Sequence, residues 1–162
     1  EGLPVDDREA KRIIHGDAKP YTWMGAGLVS LMTAHVVYSG LDPVNPASFS
    51  RTILRDILRK ELCFTGCVFS DDLSMGGAKG QGDIVERAGK ALEAGCDGVI
   101  VCNAPEEVDK LLARLKWEPT AEFYERSARL APRGDAPDME ALKKTQLYRM
   151  AREQLAPVVT IV

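Results

Sequence analysis

Several features that would define a function class are scarce or absent in this chain. Its 162 residues include two histidines and four cysteines without any C-x-x-C pair, so we expect no zinc site. There is no run of 18 apolar residues, so we expect no membrane span. The net charge of -3 argues against the basic surface that nucleic acids or anionic membranes require.

What remains is the composition of an ordinary globular protein, with 45% hydrophobic and 28% charged residues, long enough to bury a sizeable core. The four cysteines are Cys63, Cys67, Cys96 and Cys102. We interpret them as reduced thiols that pack as small hydrophobic side chains. Reduced thiols fit a cytoplasmic location.

Strand and helix signals alternate along the first two thirds of the chain. Three apolar runs predict buried strands, at 28–34, 66–69 and 98–102. Each is followed by a helix signal, with Ser50, Asp83 and Asn103 as the predicted caps. Repeated βα units predict parallel strands with right-handed crossovers, and therefore an α/β fold.

The pattern changes beyond Lys116, where helix signals follow one another without strands. A helix is predicted over 120–130, and Asp138 is the predicted cap of a final helix. The final helix has an apolar stripe, which we assign to core packing: Leu147, Ala151 and Leu155. We therefore predict a single domain over 1–162, with βα units in 1–115 and C-terminal helices in 116–162.

Polar residues follow the predicted strands at the point where each strand ends. They are His35, then Ser70, Asp71 and Asp72, then Asn103. In parallel α/β folds the ligand site lies at the carboxyl ends of the strands. From the residues alone, the Ser-Asp-Asp run is either a turn or part of a catalytic site in which Asp71 faces a cavity.

Motifs in five parts of the chain point to one family. They are LPVD at 3–6, MTAHV at 32–36 with Tyr38, PASFS at 46–50, FTG at 64–66 with VFSDDLSM at 68–75, and EAGCD at 93–97 with VCN at 101–103. In this order and at these spacings, over about residues 1–115, they resemble the bacterial β-N-acetylhexosaminidases of glycoside hydrolase family 3.

The resemblance implies the C-terminal portion of a (β/α)₈ TIM-type barrel, with parallel strands, flanking helices and a helical C-terminal extension. A complete barrel of this type needs about 250 residues, and only three βα units are apparent here. Three parallel strands would leave open edges and an uncovered inner face. Three alternatives follow: a missing N-terminal half exists elsewhere and associates with this chain, the chain assembles with another partner, or the fold is a small open sheet.

The family's chemistry maps onto Asp71 as the catalytic nucleophile. The implied reaction is retaining hydrolysis of terminal β-linked N-acetylglucosamine, from muropeptides in peptidoglycan recycling or from chitooligosaccharides, through a covalent glycosyl-enzyme. Neither a metal nor an organic cofactor is needed. Asp72 would have a structural or electrostatic role, and His35 would either line the sugar site or make a structural hydrogen bond.

The match also departs from the family pattern. The family's proton donor is a histidine on a loop that precedes the segment resembling 3–6, and this chain begins at Glu1. We therefore expect the 162 residues to be an incomplete and inactive fragment. His15 is interpreted as a surface helix residue, and Gly76 stands where the family often has glutamate.

Two other readings stay open. One is a non-catalytic half-barrel that binds a sugar or a protein partner. The other is a phosphate-binding barrel enzyme that uses the glycine-rich segment 76–82, although this segment lacks the G-x-x-x-x-G-K-[ST] pattern of phosphate cradles.

Overall fold

The computed structural model describes residues 2–19, 27–132 and 134–159. The chain forms two compact units, Glu1–Ala131 and Pro132–Val162. The first unit contains strands and helices, whereas the described part of the second contains helices only. Among the residues described, no helix combines the length and apolar content needed to cross a membrane.

All strand pairing in the first unit is parallel. A three-stranded sheet has the order β2-β4-β5, formed by β2 (Ser30–Met32), β4 (Cys67–Asp72) and β5 (Gly98–Ile100). A separate pair joins β1 (Val5–Asp6) to β3 (Val37–Tyr38). The predicted α/β fold with parallel strands is confirmed, whereas the β1–β3 pair was not predicted.

Helices of three geometries connect the strands. The α-helices of the first unit are α1 (Ala10–Arg12), α2 (Ile84–Ala94), α3 (Pro105–Arg114) and α4 (Ala121–Ser127). Among the described residues, π-helices span Ile13–Asp17 and Thr52–Glu61, and 3₁₀ turns span Ala47–Phe49, Gly76–Gln81 and Ala128–Leu130. The second unit contains α5 (Met139–Lys144) and α6 (Gln146–Val159).

The core of the first unit lies between β4 and the helices on either side of it in sequence. Val68 of β4 is completely buried and belongs to one cluster with Leu54 of the Thr52–Glu61 helix and with Ala88 and Ala91 of α2. The alanines let α2 approach the sheet closely. Burying Leu54 contributes about 1.5–3 kcal/mol, and this packing fixes β4 as the central strand.

The predicted cap at Ser50 is confirmed, and it belongs to a larger buried set of hydrogen bonds. Ser50 Oγ accepts from the Ile53 backbone N–H at 3.1 Å and donates to Asp42 Oδ2 at 2.6 Å. Burial raises the pKa of Asp42, but the hydrogen bonds from Ser50, Asn45 and Val44 outweigh it, so the pKa lies below its ordinary value.

The predicted capping box of α2 is also confirmed. The Asp83 carboxylate accepts from the Val85 and Glu86 N–H groups, both at 2.9 Å, and Glu86 Oε2 accepts from Asp83 N at 2.8 Å. The helix ends at Gly95, whose φ of 130° suits glycine.

Asp83→Ala should therefore lower Tm by about 2–4 °C, because it removes the carboxylate that accepts hydrogen bonds from the Val85 and Glu86 N–H groups in the first turn of α2. Asp83→Asn, which keeps one acceptor oxygen, is the control and should lose less than half as much. Thermal unfolding followed by circular dichroism measures both; equal losses would contradict the capping role.

Four local predictions are corrected by the structure. Asn103 is not the cap of α3, since Ala104 has this position and Asn103 is left-handed with φ 53°. The segment 76–82 is largely a 3₁₀ turn rather than a loop. The final helix is divided at Thr145, so Asp138 caps α5 instead. The apolar stripe does not pack in a core, because Leu147 and Leu155 are 78% and 55% exposed.

Candidate active site

The sequence predicts a strand that stops at Phe69, before the Ser-Asp-Asp run. In the structure β4 continues through this run, which forms its last three residues. Phe69 pairs with Gly98 and Asp72 pairs with Ile100, so three steps along β4 face two along β5. This irregularity is of the β-bulge type, which is common beside active sites because it redirects a side chain. Long-range pairing thus overrides the turn preference of Ser70 and Asp71.

The Ser70 side chain makes hydrogen bonds at the bulge. It is completely buried, and its Oγ accepts from Ile100 N at 3.2 Å while donating to Asp71 O at 2.8 Å. The hydroxyl thereby satisfies backbone groups of both strands where the regular ladder is interrupted. The short polar side chain is what this position needs.

Asp71 is half-buried, and its carboxylate is held at one oxygen only. Oδ1 accepts from Asp72 N at 2.8 Å, and within the described residues Oδ2 has no hydrogen bond. The backbone N–H of Asp71 donates to Ser48 Oγ at 3.5 Å, and this hydroxyl lies 2.7 Å from Thr33 Oγ1. The carboxylate is therefore oriented by its neighbours but retains an oxygen for chemistry.

The neighbouring strand β2 carries an exposed side chain close in register to Asp71. Met32, the partner of Phe69 on β2, is 57% exposed, and Asp71, two residues beyond Phe69 on β4, is half-buried. Two cavities, of about 280 and 420 Å³, are lined by other described residues. Asp71 is not among the residues that line these two cavities, and that it faces a cavity stays a prediction.

Asp72, in contrast, uses both carboxylate oxygens in hydrogen bonds. Oδ1 accepts from Ser74 N at 2.9 Å and Cys102 N at 3.0 Å, and Oδ2 accepts from Ser74 Oγ at 2.7 Å. Burial raises the pKa of Asp72, but these bonds outweigh it and hold the pKa below its ordinary value. Among the described residues, both carboxylate oxygens of Asp72 therefore accept hydrogen bonds, whereas only one oxygen of Asp71 does.

Asp72→Asn should destabilise the fold by about 1–3 kcal/mol at neutral pH, because hydrogen bonds to a charged acceptor are lost. The folded-state pKa is depressed, so the contribution is present above the ordinary value of 3.8 and is lost as the pH falls below it. Urea unfolding of both proteins across the acid range measures this. A difference that grows on acidification would contradict the assignment.

His35 lies beside this pair and is buried. The residue is 3% exposed, and its Nε2 lies 3.0 Å from the carbonyl oxygen of Asp72. Its ring stacks on Phe49 with centroids 5.3 Å apart, and Nδ1 is buried without a hydrogen-bond partner in the described residues. An orphaned buried acceptor of this kind costs about 1–3 kcal/mol.

The structure thus brings Asp71, Asp72 and His35 together at the carboxyl ends of β4 and β2. Cys102, next to the predicted Asn103, reaches the same place through its backbone N–H. The roles of Ser48 and Ser70 could not be predicted, since a lone serine forms no recognisable motif. His15 is exposed on its helix, as predicted. No group of three or more potential metal ligands occurs among the described residues.

Comparisons with known proteins identify the family of this chain. The model of the glycosyl hydrolase family 3 N-terminal domain matches residues 1–132. A protein named beta-hexosaminidase from Bordetella parapertussis is 46% identical over 159 residues, covering 98% of this chain and 45% of its own length. A beta-hexosaminidase from Nitrosospira multiformis is 43% identical over 157 residues. The chain therefore spans less than half the length of these curated relatives.

Solved structures with a similar fold include NagZ from Neisseria gonorrhoeae. Its complex with zinc superimposes with a TM-score of 0.81 at 34% identity, over 95% of this chain and 44% of the NagZ chain. Its complex with N-trifluoroacetyl-D-glucosamine gives a TM-score of 0.78 at the same identity, over 96% of this chain and 44% of the other.

Proposed function

This chain belongs to glycosyl hydrolase family 3, and on that premise we propose that its protein is a retaining β-N-acetylhexosaminidase with Asp71 as the nucleophile. The observation that carries the proposal is the contrast between the two aspartates at the end of β4. Asp72 is saturated by three hydrogen bonds, whereas Asp71 keeps Oδ2 unoccupied among the described residues.

The proposed reaction uses the unoccupied Oδ2 of Asp71. Asp71 Oδ2 forms a bond to C1 of the terminal sugar while the bond from C1 to the leaving oxygen breaks, and a general acid protonates that oxygen. A water molecule then attacks C1, gives its proton to the same group acting as base, and releases Asp71. The Asp72 N–H that binds Asp71 Oδ1 orients the carboxylate throughout.

The proton donor is proposed to be a histidine on a loop that precedes Leu3 in the complete protein. Neither histidine of this chain suits the role, since His35 is buried against Phe49 and His15 lies on the exposed π-helix Ile13–Asp17. In the same way, we propose that the strands are the C-terminal half of a (β/α)₈ barrel, whose N-terminal half covers the open face beside Asp71.

The proposed substrates carry terminal β-linked N-acetylglucosamine, as in muropeptides or chitooligosaccharides. The N-trifluoroacetyl-D-glucosamine bound by the gonococcal NagZ supports this class of sugar. We further propose a role in peptidoglycan recycling in the cytoplasm. Four unpaired cysteines fit a reducing compartment.

Covalent trapping tests the nucleophile directly. The complete gene product is incubated with 5-fluoro-N-acetylglucosaminyl fluoride, whose glycosyl-enzyme hydrolyses slowly, and is then digested for peptide mass spectrometry. We expect the sugar on Asp71, with no adduct in Asp71→Asn and a retained adduct in Asp72→Asn. An adduct on another carboxylate would refute the assignment.

One observation favours a second candidate, a non-catalytic half-barrel that binds a sugar or a complementary chain. Met32, the partner of Phe69 on the neighbouring strand, is 57% exposed, and neither of the two described cavities includes Asp71. This candidate predicts that the 162-residue chain binds N-acetylglucosamine but does not hydrolyse an aryl β-N-acetylglucosaminide. Light scattering of the same sample measures its mass and so shows whether it associates with another chain. Turnover by this chain alone would exclude this candidate.

A further inference from the structure

His35 connects the end of β2 to the segment that carries the proposed nucleophile. Its Nε2 lies 3.0 Å from Asp72 O. A carbonyl oxygen can only accept, so Nε2 carries the hydrogen and donates it. In the neutral ring, Nδ1 is then the bare nitrogen, and it has no hydrogen-bond partner among the described residues.

The surroundings of the ring fix its orientation. Phe49 stacks on it with an interplanar angle of 4°. The Gly77 backbone also approaches the residue so closely that a Cβ there would lie 3.1 Å from His35 Cβ. The ring is held in place although Nδ1 has no hydrogen-bond partner among the described residues, and a buried polar atom of this kind calls for an explanation.

Asp72 is held from two directions at once. Its carbonyl accepts from His35, which follows β2, and its carboxylate accepts from Cys102 N, which follows β5. The N–H of the same residue donates to Asp71 Oδ1 at 2.8 Å. The position of Asp72 therefore sets the direction of the Asp71 carboxylate.

We infer that His35 is a positioning residue for Asp71, acting through its hydrogen bond to the Asp72 carbonyl and without touching the sugar. This inference rests on the proposed function. It predicts an effect on the chemical step that exceeds the effect on sugar binding, because displacement of a reacting atom by about 1 Å can cost a hundredfold in rate.

The test compares two substitutions in the complete gene product, with an aryl β-N-acetylglucosaminide as substrate. His35→Phe keeps the stacking on Phe49 but removes the donor, and it should lower kcat by about 10- to 100-fold with KM within about twofold. His35→Gln can place an amide N–H near the former Nε2 and should recover most of the kcat. His35→Met, a flexible residue without a donor, replaces His35→Phe if that variant does not fold.

Leu58→Ala controls for lost stability, since Leu58 is buried in the core and distant in sequence from Asp71 and Asp72. It should lower Tm with kcat unchanged. Equal kcat values for wild type and the donor-free variants would overturn the inference, as would equal losses in His35→Gln and His35→Phe. If Asp71→Asn keeps its activity, the proposed function fails instead, so the two failures are distinguishable.

Discussion

Asp71→Asn in the complete gene product should lower kcat for an aryl β-N-acetylglucosaminide by at least about a thousandfold. The amide has nearly the same shape as the carboxylate, so sugar binding and folding should change little, but it cannot form the glycosyl-enzyme. The loss should appear in kcat and kcat/KM alike. Steady-state kinetics with Tm as a folding control measures it.

Asp72→Asn is the matched control, because it makes the same chemical change one residue away. Asp72 accepts from Ser74 and Cys102 and has no oxygen left for a sugar. We expect Asp72→Asn to lower stability more than Asp71→Asn does, and to lower kcat less. The reverse order of activities would assign the nucleophile to Asp72.

Chemical rescue separates a nucleophile from a residue with another role. Asp71→Ala leaves space beside C1, and added azide can attack there while an activated aryl leaving group departs as the phenolate. The product is then an α-glycosyl azide, because only one displacement has occurred. Rescue with a β-configured azide, or full activity without azide, would rule out Asp71 as the nucleophile.

Features encoded by adjacent residues could be predicted from the sequence. The Asp83 capping box needs only residues three apart, and the Ser50 cap likewise acts within one turn. The parallel α/β arrangement also followed from the alternation of apolar runs and helix signals. In these cases the interaction that stabilises the element lies inside the element itself.

Features that depend on distant partners could not be predicted. Ser70 and Asp71 favour turns by themselves, yet pairing of Asp72 with Ile100 keeps them in β4. The β1–β3 pair is two residues long and gives no periodic signal. The contact from His35 to Asp72 spans 37 residues, and only the folded chain shows which histidine nitrogen is occupied.

Asp97 shows the same dependence on distant partners, and its removal should cost the most stability. Asp97→Ala is expected to lower the free energy of unfolding by about 3–5 kcal/mol, which corresponds to roughly 10 °C in Tm. Its side chain is 3% exposed and binds Arg59 and Arg126, each at 2.7 Å. Oδ2 also accepts from Val68 N at 2.9 Å at the start of β4.

The physical reason is that the substitution leaves two guanidinium groups beside a vacated acceptor. Arg59 and Arg126 come from the helix Thr52–Glu61 and from α4, so each helix loses an ion pair that joins it to the sheet. Lys60→Ala is the matched control, since it removes the ion pair with Asp56, in which the side chains are 76% and 56% exposed, and such exposed pairs contribute little. Urea unfolding measures both variants. If Asp97→Ala costs no more than Lys60→Ala, Asp97 does not hold the two helices to β4.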